Sequence, residues 1–491
     1  MCASVITLRP AVCYQLKTGL RDWPNTWMLY LSTVGMYTRA WRTKLKKLAI
    51  PFIAAIVAFG LLQLVRPEIP AKSATAELQA PPEVRRILEK DCYSCHSDQR
   101  RLAWFDEVVP GYWLVRHDIL TAREHLNFST LGSEPPAVQK AALYEAVNMI
   151  QLGAMPLPSF KKLHPEANVT PEELTVLKAY LAPWNSAPDQ HSPSGTAVSI
   201  SLKTVQPEFN GFPFDPNFEG WKPISTTDRG DNNTFRFILG NDIAVNAVRS
   251  GNITPWPDGT RLAKIAWQQK PAADGLIHPG TFVQVELMLK NAPTCRDTEG
   301  WDWGRWRGLE LKPYGKDARF VNECTSCHLP VRGNDYVYTL PITTTKVNHD
   351  EIVNNTAAAL PASLPYQPLG WHAITMYVDP KTRTTATLYG NDTAMSTVQS
   401  RHSTPNVAGD LPYGNGAVLA LVTWGQREDP HWFGGRIPQR LQTVEFVQVS
   451  AAVPKNYSRY DAAGQLQDHA GTSIAMQRTN FMLGLAPAPL P

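Results

Sequence analysis

Two short stretches of this chain repeat one arrangement of reactive side chains: Cys92-Tyr93-Ser94-Cys95-His96 and Cys324-Thr325-Ser326-Cys327-His328. Two thiols separated by two residues reach one planar ring from a single helical turn, and a histidine beside the second thiol then lies under the ring's centre. That is the chemistry of covalent c-type haem attachment, with each sulfur in a thioether and the imidazole as proximal iron ligand. A zinc site would need four ligands, and a thiol redox pair rarely carries the adjacent histidine. The expectation is two covalently attached c-type haems, one on Cys92, Cys95 and His96, the other on Cys324, Cys327 and His328. For the first iron, Met155 is the candidate second ligand. It sits in Gly153-Ala154-Met155-Pro156-Leu157-Pro158, a proline-bounded loop that could present a thioether and so raise the reduction potential. Otherwise Met155 packs in the core, and His117, His125 and His164 are the remaining candidates. Cys295 reads as a buried small residue. Cys2 and Cys13 carry no pattern.

These residues need elements to position them. At 491 residues with 41 prolines and 15 tryptophans, the chain is too long for one typical domain and too rich in turns for a helical bundle. The first motif falls in a helical stretch. Pro82 and Glu83 open a helix with Val84, Ile87 and Leu88 on one face. A second helix follows Pro135 and Pro136, and Thr170-Pro171-Glu172-Glu173 has the form of a capping box opening a third. Farther on, β-prone runs such as Phe235–Leu239, Leu262–Trp267 and Phe282–Leu289 alternate with Gly, Pro and Asp turns, which predicts antiparallel sheet. This region repeats internally. Gly220-Trp221 and Gly240-Asn241-Asp242 recur, equally spaced, as Gly370-Trp371 and Gly390-Asn391-Asp392. Asp258–Trp267 matches Asn415–Trp424, and Phe282–Val285 matches Phe446–Val449. Only the first copy carries Cys-x-x-Cys-His, and Leu421 stands where the first copy has Lys264.

The net charge is +4, but residues 1–47 alone carry +7. The rest has no basic excess, so nucleic-acid binding is not expected. Behind Arg39, Arg42, Lys44, Lys46 and Lys47 lies the apolar run Leu48–Val65. Positive flanks stay cytoplasmic, so this run reads as a membrane anchor, or else a signal segment, with the body facing outward. Met36 would give a compact leader if translation began there.

Residues about 78–184 resemble a haem-binding domain family of bacterial cytochromes, through Val84–His96, Glu124–Ser129, Met155–Phe160 and His164–Ala167. Residues about 213–345 resemble the cytochrome P-460 family, through Gly240-Asn241-Asp242, Trp256–Thr260 followed by Lys264, the late Cys324–His328, and Asn334–Thr339. The second resemblance implies a β-rich fold and a five-coordinate haem with an open distal side. It also implies a lysine covalently linked to the haem in members that oxidise hydroxylamine; related cytochromes c′-beta lack the link and bind nitric oxide or carbon monoxide. Lys264 falls where that lysine falls. Strand alternation puts Leu262, Lys264 and Ala266 on one face, and that pattern alone would send the lysine to solvent. The distal carboxylate that the resemblance implies could be Glu286, Glu310 or Glu323.

The expected fold class is therefore multidomain. After a basic segment (1–47), the anchor or signal (48–65) and a linker (66–81) come an all-α haem c domain (82–184), a linker (185–212), an α+β, antiparallel P-460-like domain (213–345), and a haemless P-460-like repeat with a tail (346–491). The haemless part would cover the haem domain or make a subunit contact, so a homo-oligomer is admissible. Expected partners are a hydroxylamine-type or nitrogen-oxide ligand, a redox partner and the membrane, at a periplasmic location. An oxidoreductase acting on hydroxylamine or nitric oxide, a gas-binding protein and a pure electron carrier all fit. The motifs predict two haems per chain, to be read as intact mass and as haem staining after denaturing electrophoresis; a mass for one haem or none contradicts them.

Overall fold

The structure is a computed structural model and describes residues 50–182, 202–317, 319–343, 353–402, 413–450, 456–467 and 473–491. Cys2, Cys13, Met36 and the basic run before Leu48 lie outside the described residues. The chain divides into two compact units, one made of 1–70 and 101–121, the other of 71–100 and 122–491.

In the first unit, residues 50–62 form helix α1, with Ile53, Val57, Phe59 and Leu61 all exposed. Of the expected 48–65 run the described helix covers 50–62, and a membrane span there is not shown. The helix ends at 62 because the Gln63 side-chain amide donates to the Val109 carbonyl at 3.0 Å and accepts from the Val109 amide at 2.9 Å. Among the described residues no helix is long and apolar enough to cross a membrane.

The second unit begins with the helical region read from the sequence: α2 (Pro82–Asp91), α3 (Tyr93–His96), α5 (Pro136–Gln151), α6 (Pro158–Lys161) and α7 (Pro171–Leu181), with α4 (Gly111–His125) entering it by its last turn. Proline at the first turn starts α2, α5 and α7, where a missing N–H costs nothing. The capping box is formed: the Thr170 hydroxyl accepts from the Glu173 amide at 3.2 Å, and the Thr170 amide donates to the Glu173 carboxylate at 3.0 Å. Val84, Ile87 and Leu88 pack against Leu143, Tyr144 and Val147 of α5 and Leu177 and Leu181 of α7.

Beyond residue 202 the same order of elements occurs twice. First come β1 (Lys222–Arg229), β2 (Thr234–Gly240), α8 (Asp242–Ser250), β3 (Arg261–Pro271), β4 (Ile277–Lys290), β5 (Trp301–Arg307), β6 (Lys312–Pro313) and α9 (Arg319–His328). Then come β7 (His372–Asp379), β8 (Thr384–Gly390), α10 (Asp392–His402), β9 (Val418–Asp429), β10 (Trp432–Gln448), β11 (Asn456–Asp461), β12 (Leu466–Gln467) and α11 (Ser473–Gly484). The two series share one antiparallel barrel of eight strands, β1-β2-β3-β4-β7-β8-β9-β10, closed by β1 on β10. The closures are reciprocal: Asp228 faces Arg436, and Val378 faces Ile277. Met376 and Val378 of the second series enter the core built on Phe235, Ile265, Trp267 and Val285 of the first.

The ladders also fix the correspondence between the series. Lys264 faces Glu286, and Leu421 faces Glu445. The counterpart of Val285-Glu286-Leu287 is therefore Val444-Glu445-Phe446, so the sequence match of Phe282–Val285 with Phe446–Val449 is displaced. The register shifts between Pro438 and Thr443 account for part of that difference. Glu445 is 2% exposed. Its carboxylate takes Arg478 of α11 through both oxygens, at 2.8 and 2.6 Å, together with the Tyr457 hydroxyl. Removing one member of such a pair strands a buried charge at a cost of about 3 kcal/mol or more. Arg478→Met should accordingly lower the unfolding free energy, read from a denaturant melt, by that amount, whereas Arg478→Met combined with Glu445→Leu should recover much of it; equal losses in the two variants would contradict the ion pair's role.

Candidate functional site

The first motif starts where α2 stops. Cys92 separates α2 from α3, and the Cys95 and His96 amides both return to its carbonyl, at 3.1 and 2.8 Å, so both thiols and the imidazole come from one turn. The His96 Nδ1 donates to the Leu126 carbonyl at 2.9 Å. A carbonyl can only accept, so Nε2 is left with its lone pair free for a metal. Burial lowers the His96 pKa and keeps the ring neutral. Cys92 borders an apolar hollow lined by Leu88, Val147 and Ile150.

The second motif ends α9 and uses the same device. The His328 Nδ1 donates to the Tyr336 carbonyl at 2.6 Å, and burial pushes its pKa down to about 4. The carbonyl is aimed by two consecutive left-handed residues, Asp335 (φ 47°) and Tyr336 (φ 64°). Asp335 is anchored by the Trp256 amide at 2.8 Å and by Lys290 at 2.7 Å. Tyr338 lies edge-on to the His328 ring at 5.2 Å and donates its hydroxyl to the Cys327 carbonyl at 2.6 Å. Trp303 flanks the ring at 6.0 Å.

Beside this motif the barrel carries a row of charges. Lys264 on β3, Glu286 on β4 and Arg305 on β5 face one another across adjacent strands. Lys264 is 2.5 Å and Arg305 3.5 Å from the Glu286 carboxylate, and Arg305 also reaches Glu323 at 3.3 Å. The Lys264 side chain is only 29% exposed, so it does not take the solvent-facing position that alternation alone suggested. Burial lowers its pKa to about 8 against the pull of Glu286. Burial works against the Glu286 carboxylate too, yet Lys264 and Arg305 hold it well below the usual carboxylate range. Arg236 on β2 belongs to the same cluster. Its Nε is buried without a hydrogen-bond partner, and burial lowers its pKa to about 9. The fields of Lys264, Glu286 and Arg305 all act on His328, so motif and cluster form one site.

Of the three carboxylates left open by the sequence, Glu286 is inside this site, Glu323 stands at its rim and Glu310 is exposed. The sequence reading missed Arg236 and Arg305. Their signal was a cation inside an aromatic strand run, Phe235-Arg236-Phe237 and Trp303-Gly304-Arg305-Trp306. Met155 lies on the loop between α5 and α6, where the Ala154 and Met155 amides both donate to the Met149 carbonyl, at 2.8 and 3.0 Å. His117 and His125 are exposed. His164 is buried and stacks on Phe160 at 3.9 Å.

The residues present fit haem at both motifs. Each offers a neutral imidazole with a fixed tautomer and two thiols free of disulfides. Burial raises Cys92 and Cys324 to about 12 and Cys327 to about 11, the opposite of the lowered values that thiol redox pairs need. Among the described residues, no group of three or more His, Cys, Asp and Glu side chains could hold a metal ion by itself. The unpartnered Arg236 guanidinium suits the carboxylates that a haem carries.

Residues 54–183 match the model of a haem-binding domain, and residues 216–339 match that of cytochrome P460. No curated protein matches the chain.

Asp335 immediately precedes Tyr336, whose carbonyl holds His328. Asp335→Ala should therefore shift the midpoint potential of the second site and leave that of the first in place, as well as destabilise the fold by about 3 kcal/mol by leaving Lys290 buried and unpaired. A redox titration checks the first effect and a denaturant melt the second; equal shifts at both sites would refute the local route.

Proposed function

We propose that a chain joining a haem-binding domain to a cytochrome P460 domain works as a two-haem c-type oxidoreductase on hydroxylamine or nitric oxide. The observation that carries this reading is the half-buried Lys264–Glu286–Arg305 row beside His328. Cys92, Cys95 and His96 would hold one haem and Cys324, Cys327 and His328 the other, with Met155 as second ligand at the first. When bound, the haem supplies a redox-active iron with a position open to a small nitrogen species. Lys264 is the residue that would be joined to the haem edge, an N–C bond replacing one N–H and one ring C–H bond, with the two electrons and two protons passing to an added peroxide-type oxidant. The Lys264 pKa, lowered by burial to about 8, enlarges the share of neutral, nucleophilic amine relative to a free lysine. Once that amine no longer carries charge, Glu286 loses its nearest cation. Its carboxylate then moves up toward a range in which it can accept a proton from substrate. Arg236 and Arg305 hold anionic groups in place and keep the site polar. Residues 346–491 serve as a haemless P460-like copy, and the exposed apolar face of α1, behind five basic residues, anchors the body on the periplasmic side.

One observation favours the gas-binding alternative. A Lys264 ammonium held 2.5 Å from Glu286 is no nucleophile, and without the link the site resembles a cytochrome c′-beta. The absorption spectrum of the reduced protein separates the two. A Soret band far to the red, returned to ordinary c-type bands by Lys264→Leu together with loss of hydroxylamine oxidation, supports the oxidoreductase. Identical ordinary spectra for wild type and variant, without oxidase activity, refute it. At the first site, Met155→Ala should lower the potential and admit carbon monoxide; an unchanged potential and spectrum would remove Met155 from the iron.

A further inference from the structure

The hairpin between β9 and β10 belongs to the half of the molecule without a haem motif, yet its contacts lie with the two halves of the chemistry. On one side, Phe433 stacks on Tyr144 of α5, with ring centroids 5.2 Å apart and planes 17° apart. The Phe433 amide donates to the Asn148 side chain at 2.5 Å, and Gln151 donates to the Pro430 carbonyl at 2.8 Å. Gly434 (φ +80°) follows, and a Cβ there would stand 2.7 Å from the Tyr144 ring, so only glycine permits both the turn and the approach. Tyr144 is fully buried in the core that also holds Cys92.

On the other side, Trp432 meets the Tyr338 ring edge-on at 5.5 Å. It is clamped by the Arg229 guanidinium, 4.1 Å from its ring centre, and donates to Asp231 at 3.3 Å. The buried His431 Nδ1 donates to the Tyr338 carbonyl at 2.7 Å. Tyr338 is the residue that touches both the Cys327 carbonyl and the His328 ring. Packed side chains thus run from His328 through Tyr338 and Trp432, along one peptide unit to Phe433, and on to Tyr144. Glu145, next along α5, lies near enough to Cys327 and Tyr338 for its charge to act on both.

We infer that the Asp429–Gly435 hairpin is the coupler between the two haem sites, with Trp432 and Phe433 as positioning residues for electron transfer from one to the other. This rests on the two-haem reading proposed above. The step moves one electron: one iron is oxidised, the other reduced, and no bond is made or broken. The Tyr144 hydroxyl stays on the Leu181 carbonyl at 2.9 Å, and burial pushes its pKa up to about 12, so no proton need move. Tunnelling is faster through packed atoms than across gaps, and this hairpin supplies a continuous run of packed rings and backbone between Tyr144 and His328.

The test is pulse radiolysis of the full chain with less than one reducing equivalent, following the concentration-independent redistribution of the electron between the two sites. Trp432→Leu and Phe433→Leu should each slow that phase at least tenfold, with both midpoint potentials at their wild-type values in a static titration. Phe433→Tyr, which keeps the ring, should restore the rate. Should Trp432→Leu fail to fold, Phe433→Leu and Gly434→Ala carry the test. Wild-type rates in folded variants would overturn the coupler alone. A haem count of one per chain would overturn the two-haem reading and the coupler with it.

Discussion

Closing the barrel is the constraint on which the molecule depends. A sheet edge exposes a row of unpaired N–H and C=O groups, and neither series of strands can close alone. Each gives its first strand to the long fourth strand of the other, β1 to β10 and β7 to β4. Because the exchange is reciprocal, each long hairpin extends past its own half and over its neighbour. Gly275, left-handed at φ 82°, lies in the turn of the first hairpin, and Gly434, left-handed at φ 80°, lies just past the turn of the second, where the β9–β10 register shifts. The placement of His431, Trp432 and Phe433 follows from this closure.

The two halves also show what a haem motif demands of its surroundings. Glu286 and Glu445 occupy the same ladder position. In the first half the carboxylate is met by Lys264 from the strand beside it, and the last helix carries Cys324, Cys327 and His328. In the second half Leu421 replaces the lysine, and the last helix sends Arg478 onto the carboxylate and buries Met482. One internal anion has thus been balanced in two ways, by a strand cation that leaves the helix free for chemistry and by a helix cation that fills the position.

Features set by nearby residues were legible in the sequence. The two motifs, the prolines that open α2, α5 and α7, and the Thr170 capping box all depend on spacings of a few residues, and all stand where expected. What depends on register was not legible. Arg305 joins the site because the β4–β5 ladder sets it opposite Glu286, and Arg236 because the β2–β3 ladder sets it two residues from the partner of Lys264; a cation in an aromatic run marks such residues but does not say what they face. The repeated Phe-Val-Gln-Val misled because β-strand composition recurs easily, whereas irregularities in β10 change the register without leaving a composition signal. Leu48–Val65 reads as one apolar run, but the Gln63 side chain finds backbone partners at Val109, sixty residues from the start of that run, and ends the helix.

The reciprocal closure has a further consequence. Two identical subunits joined in this way would present two identical hairpins, and any residue change in one would appear in both. Here both hairpins are encoded in one chain and are free to diverge: one turns through Ala272-Ala273-Asp274-Gly275, the other through Pro430-His431 into Trp432-Phe433-Gly434. With both series in one chain the contact is directional: one half carries Cys324, Cys327 and His328, and the other brings His431, Trp432 and Phe433 to its edge.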